Sequence, residues 1–204
     1  MSQLKLTADS GGGTVAIKGP ASTTGNAALE MIVPSAASDT LDSLKRAGNI
    51  LQVVSATKTD AFSTSSTTFT DVTGMSIAIT PSSSSNKILV RLDLNFGSSD
   101  NGYFGFKLYR DSTWIGQSTA VTSGNQINAT FGLSCGNDNN DFYKLHSGAY
   151  QILDSPSTTS AITYKIQVNA YDSRTFYLNR PHNDNNQSYI YGGTSSITAM
   201  EVAA

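Results

Sequence analysis

Residues 87–96, KILVRLDLNF, constrain the fold more than any other stretch. Ile88, Val90, Leu92, Leu94 and Phe96 alternate with Leu89, Arg91, Asp93 and Asn95. Successive side chains of an extended chain point to opposite faces, so the pattern predicts a β-strand buried on one side. Burying five such side chains is worth roughly 8–15 kcal/mol, at about 1.5–3 each. Ordering ten residues costs about 10–20 kcal/mol of backbone entropy. The strand cannot stand alone, and a shared core with further strands is required. Ile162, Tyr164, Ile166, Val168 and Ala170 repeat the pattern at nearly the same length.

The remainder of the chain reads the same way. From Ile50 onward, short runs rich in β-branched and aromatic residues are separated by turn residues. They begin at residues 50–58 and continue through Met75, Ile77 and Ile79 and then Phe104, Phe106 and Leu108. Residues 110–113 form a compact turn into Trp114 and Ile115, and residues 127–133 and 149–153 are shorter strands. Residues 176–178, 189–191 and 197–202 close the series. Phe62 and Phe69 bracket STSSTT, which suits an edge strand or a long loop, and Asn101 with Gly102 predicts a tight hairpin. About ten strands spaced by turn signals predict an all-β, jelly-roll-like β-sandwich over residues 50–204.

Residues 1–49 read as an extended β-rich arm and linker. Leu4 and Leu6, then Val15 and Ile17, then Leu29, Met31 and Val33 form three short alternations broken by glycine and proline. Isolated hairpins of this size are marginal in water, so the arm predicts an attachment or assembly segment. Residues 38–49, SDTLDSLKRAGN, hold the one plausible helix, about two turns long and too short to persist by propensity.

Composition narrows the function. Ser and Thr make up about a quarter of the chain, charged residues 14%, and the net charge is −2. Such a surface offers no electrostatic case for nucleic acid or an anionic membrane. No apolar run suits a signal peptide or a membrane helix, which predicts synthesis in the cytosol. Cys135 is the only cysteine, so no intrachain disulfide forms, and inert packing is its expected role. HExxH, CxxC and Gly-x-Ser-x-Gly signatures are absent, and Gly11, Gly12 and Gly13 lack the Lys-Ser/Thr of a phosphate loop. Asp141, Asp154 and Asp172 are nominal glycosidase acids, but solvated loop acids are the better reading. No cofactor, no metal and no enzymatic activity are expected.

Two loops resemble each other: GNDNND at residues 136–141 and HNDNNQ at residues 182–187. Asn137, Asp138, Asn139 and Asn140, with His182, Asn183, Asp184, Asn185 and Asn186, are the candidate surface or glycan contacts. Asn and Asp are also ordinary turn residues, and no glutamate closes a calcium site. Tyr109 and Tyr171 lie opposite the apolar faces of their strands, where outward aromatics stack on sugars or meet a subunit. With Arg91 and Asp93, on the outward face of the central strand, they are the candidate interface residues.

Three segments together carry a family resemblance. They are TVAIKGPASTTGNAALEMIVPSA (14–36), ILQVVSATKTDAFSTSSTTFTDVTGMSIAITPSSSSNKILV (50–90) and SSITAMEVAA (195–204), with YRDSTWIG at 109–116. The combination resembles virion structural proteins of tailed, marine-type bacteriophages, tail-fibre-like or attached to the capsid. The resemblance implies a non-enzymatic virion component. It also implies a homotrimer that docks on other virion proteins through its arm and carries a distal β-rich head, which contacts host surface glycan. A repeated shaft is missing, which favours a short appendage over a long fibre. A capsid decoration protein without a receptor is the alternative.

Overall fold

The computed structural model describes residues 4–7, 14–17, 47–120, 124–136 and 141–204. The chain divides into two compact units, Met1–Asp42 and Ser43–Ala204. In the first, β1 (Leu4–Thr7) pairs antiparallel with β2 (Thr14–Ile17). The predicted third alternation at residues 29–33 lies outside the described residues, as does nearly all of the predicted helix. Residues 47 and 48 are a turn, with Gly48 at φ 88°.

The second unit is a sandwich of two antiparallel sheets. Its strands are β3 (Ile50–Lys58), β4 (Phe62–Thr64), β5 (Thr70–Ile79), β6 (Lys87–Ser98), β7 (Tyr103–Arg110), β8 (Thr113–Ile115), β9 (Phe131–Ser134), β10 (His146–Asp154), β11 (Ile162–Ala170), β12 (Phe176–Leu178) and β13 (Ser195–Val202). One sheet runs β3-β13-β6-β10, with the short β12 and β4 continuing from the far end of β6. The other runs β5-β11-β7, with β8 and β9 sharing the outer edge of β7. Early and late strands therefore alternate: β3 pairs β13, β5 pairs β11, β6 pairs β10, and β7 pairs β8. A chain doubled into one long antiparallel ribbon and rolled around a core gives this order, which is the jelly roll.

The alternation of the central strand is realised along its length. Ile88, Val90 and Leu92 are fully buried, and Leu94 and Phe96 nearly so. Ile162, Tyr164, Ile166, Val168 and Ala170 of β11 enter the same core from the facing sheet. Six aromatic side chains fill one end of that core. Phe96, Phe176 and Tyr150 come from the first sheet, and Phe104, Phe106 and Phe131 from the second. Phe176 stacks on Phe96 at 6.1 Å and meets Phe104 and Phe106 edge-on at 5.1 and 5.5 Å.

Two carboxylates close the opposite end, Glu201 buried and Asp154 half-buried. Asp154 of β10 accepts two bonds from Arg110 Nη1, at 2.8 and 2.6 Å, and one from Tyr164 Oη at 2.7 Å. This ties one sheet to the other, and burial, then Asp154, push the Tyr164 hydroxyl well above its ordinary pKa. Glu201 of β13, 1% exposed, accepts bonds from Gln52, Ser82 and Asn86 and anchors the turn after β5.

Three local expectations are corrected. Asn101 and Gly102 do not make a hairpin: the chain crosses there from β6 in one sheet to β7 in the other. Glycine is required at 102 by close approach, because a Cβ would collide with Ser98 Oγ and the Phe104 ring. Residues 189–191 form no strand: the chain turns there, with Ile190 N donating to Gln187 O at 3.1 Å. Of residues 127–133, only 131–133 are extended into a ladder, that of β9 with β7.

Candidate functional site

Jelly-roll winding sends alternate connections to opposite ends. Residues 59–69, 99–102 and 171–194 emerge at the end where β6 finishes and β7 begins, and β9 ends and β10 starts there too. The second Asn/Asp-rich loop identified in the sequence, residues 182–187, lies at this end. Residues 137–140 lie outside the described residues. The chain following them is docked on the second loop: Asn183 N donates to Phe142 O at 2.9 Å, and the Phe142 and His182 rings meet edge-on at 5.5 Å. Tyr143 and Tyr189 pair in the same manner at 5.8 Å.

The second loop is internally braced. His182 Nδ1 lies 3.1 Å from Tyr177 Oη, and the Arg180 guanidinium lies 4.2 Å above the Tyr177 ring. Arg180 Nη1 also donates to Asp184 at 3.0 Å. Asp184, Asn185 and Asn186 are exposed, whereas His182 and Asn183 are half-buried. The candidate surface residues of this loop thus divide into a braced stem and an open tip. Among the described residues no cluster of three or more His, Cys, Asp or Glu side chains forms a metal site.

Beside these loops, on the outer face of β7 and β9, runs a groove of about 900 Å³. Tyr103 and Tyr171 stand at its rim, 53% and 60% exposed, with ring centroids 6.1 Å apart and planes at 83°. Tyr171 begins a 3-10 turn in which Asp172 and Ser173 take left-handed φ of 53° and 57°. The role of Tyr103 escaped notice in the sequence, although its phase against Phe104, Phe106 and Leu108 already placed it outward.

The four candidate interface residues do not form one surface. Arg91 and Asp93 lie on the outer face of the β6 sheet, and Tyr109 and Tyr171 on the side of the other sheet. Arg91 Nε and Nη2 donate to the two oxygens of Asp93 at 2.8 and 2.9 Å. The pair satisfies itself within the strand, and the guanidinium holds the Asp93 carboxyl below its usual range. Tyr109 is half-buried between Trp114 and Lys165 in the register. Of the nominal acids, Asp154 and Asp172 stand at opposite ends of β11, and the Asp141 side chain lies outside the described residues.

One outward feature was not anticipated. Val53, Met200, Leu89 and Leu153 are register partners in turn across β3, β13, β6 and β10. They form an apolar row over the whole sheet, with Val53 58% and Leu153 49% exposed, and Ile50 beside it. The signal was present at Leu89, the one apolar residue on the outward side of the central strand.

No protein-family model matches the chain, and no curated protein is similar to it. Among solved structures it is similar to the structure of infectious bursal disease virus Gx strain. That match has TM-score 0.37 and 13% identity, over 75% of this chain and 37% of that one. A mutant VP2 protein of the same virus, in T=1 particles, matches with TM-score 0.37 and 15% identity over 98% and 44%. Eiger TNF from S. frugiperda matches with TM-score 0.32 and 10% identity over 74% and 93%. The chain spans about two fifths of the length of the two viral proteins. At these scores the likenesses carry no functional argument, and the jelly roll stands on its own strand order.

Proposed function

We propose that the chain is a non-enzymatic structural protein of a tailed-bacteriophage virion. It is a short, trimeric, fibre-like appendage: residues 1–49 dock on the capsid or tail, and the jelly roll projects its loop-bearing end outward to host surface glycan. The observation that carries this reading is the row Val53–Met200–Leu89–Leu153. An exposed apolar stripe that spans a sheet and reaches its edge strand marks a contact surface. It lies at the end of β3 where the chain enters the sandwich, so assembly contacts gather at the base and the loops remain free. The four-residue strands of the N-terminal unit cannot be stable as a lone hairpin, which also suits a segment that is completed on assembly.

The test has two readings. Native mass spectrometry of the purified chain gives a trimer, and labelled antibody places the chain on intact particles. A monomer with an intact fold sinks the trimer. Particles that lack the chain and adsorb normally, but release their DNA on heating, assign it instead to capsid decoration.

A further inference from the structure

The groove beside β7 and β9 is open for a reason that packing does not supply. Phe104, Phe106, Phe131 and Leu133 point inward from this ladder, so Tyr103, Gly105, Gly132 and Ser134 face out. Gly105 and Gly132 are register partners, and Asn169 of β11 stands beside Gly105. Together they make a floor almost without side chains. The two glycines differ. A Cβ at Gly105 would come within 2.6 Å of Asn169 Oδ1, so close approach demands glycine there. A Cβ at Gly132 would meet only the Phe104 carbonyl oxygen, at 3.6 Å, an ordinary contact. Strands prefer β-branched and aromatic residues, and nothing packed around position 132 excludes one. Its glycine keeps the groove empty.

The lining has a definite chemistry. Tyr103 and Tyr171 offer ring faces at the rim, the latter held out by the two left-handed residues that follow it. The far wall carries the exposed amides of Asn125 and Gln126. Among the described residues Asp172 is the only charged one lining the groove, and Arg174 Nη2 stands 4.0 Å from it outside the lining. The described lining itself therefore offers phosphate, sulfate or sialic acid no counter-charge, and its own carboxylate repels them. Sugar rings have apolar C–H faces and a rim of hydroxyls that both donate and accept, which suits tyrosine faces beside amides. A volume of this size holds a few sugar rings.

We propose that this groove is a binding site for a neutral oligosaccharide, with Tyr103 and Tyr171 stacking on its rings and Asn125 and Gln126 bonding its hydroxyls. The proposal deepens the outward-head reading above and rests on it only for the biological source of the sugar.

The whole purified chain is titrated with maltohexaose, cellohexaose, chitohexaose and mannohexaose by isothermal calorimetry. Fluorescence is followed alongside, because the chain's one tryptophan, Trp114, donates to Thr130 Oγ1 in the groove wall at 2.8 Å. At least one hexasaccharide saturates. Gly132→Val, which fills the floor, and Tyr171→Ala each weaken it about tenfold or more. Tyr191→Ala, 71% exposed but outside the groove, binds as the parent does. Sialyllactose and inorganic phosphate give no saturable signal.

The proposal is overturned if none of the four saturates by about 10 mM, if folded Gly132→Val and Tyr171→Ala both bind normally, or if the acidic probes bind as tightly. Incorporation into particles is measured separately. A chain present on virions that binds none of these sugars sinks the groove and leaves the appendage reading intact. A sugar-binding chain absent from virions does the reverse.

Discussion

Replacing Glu201 by Gln tests whether a buried charge stabilises this jelly roll. Glu201 is 1% exposed, and Oε1 accepts from Ser82 N, Ser82 Oγ and Asn86 Nδ2 at 2.6, 2.8 and 2.6 Å. Oε2 accepts from Gln52 Nε2 at 2.6 Å. Burial alone would raise the carboxyl pKa, but these hydrogen bonds, Asn86 foremost, outweigh it and hold the value at about 2 against an ordinary 4.5. That difference corresponds to about 3 kcal/mol of folded-state preference for the charged form. A glutamine keeps the three bonds at one oxygen but turns an NH2 group toward Gln52 Nε2. Gln52 cannot flip to meet it without giving up its bond to Thr80 O. The variant should lose about 3 kcal/mol at pH 7, a fall in melting temperature of about 6–12 °C for a domain of this size.

The pH dependence carries the sign. A carboxyl whose folded pKa is depressed stabilises fully above its unfolded value, and that contribution is lost as pH falls through the folded value. Urea unfolding followed by Trp114 fluorescence, on parent and variant side by side, should show a gap that is full at pH 7 and pH 5. The gap should shrink below the ordinary carboxyl value of 4.5 and nearly close at about 2. A gap that stays constant over the whole range would refute the reasoning, because the loss would then come from packing and not from a held charge.

Other perturbations probe the remaining contacts. Phe176→Ala removes the ring that joins Phe96, Phe104 and Phe106, and should cost about 3–5 kcal/mol in a urea titration. Val53→Glu places a carboxylate on the exposed apolar row; light scattering should report a smaller assembly, while the melting temperature of the sandwich hardly moves. Arg91→Ala with Asp93→Ala removes a self-satisfied surface pair; folding and oligomer mass should both be unchanged, since such pairs contribute little. A loss of assembly in that double variant would place the two in an interface.

What could be read from the sequence follows from the range of each interaction. Period-two alternation reports a strand and its buried face from adjacent residues, so β6 and β11 were legible residue by residue. Pairing partners are not local. Asn101 and Gly102 look like a hairpin because turn chemistry is read from two residues, yet the chain there passes between sheets. Tyr189 and Tyr191 look like strand residues by composition, but the chain turns there, Ile190 N donating to Gln187 O at 3.1 Å, and Tyr189 packs on Tyr143 instead of in a ladder. The groove was hidden for a related reason. Gly105 and Gly132 are far apart in sequence, and only the β7–β9 register sets them side by side.

The ribbon pairing also sets the entry end of the domain apart from its loop-bearing end. Pairing β3 with β13 brings the start and finish of the sandwich together: Gly48 N donates to Ala203 O, and Ala203 N to Asn49 O, both at 2.9 Å. At Val53 and Met200 the exposed row lies within four residues of that junction, and β13 and β6 at its centre are paired along both edges. At the far end the short β12 carries a ladder to β6 and β4, and the loops around it are held by side chains, Tyr177 with His182, Tyr143 with Tyr189 and Arg180 with Asp184. Loops braced in this way can change in sequence without disturbing the pairing that defines the fold. The base cannot, because each residue of its apolar row stands in a ladder whose opposite face is core. Sequence variation is therefore expected at the loop end, and conserved geometry at the base.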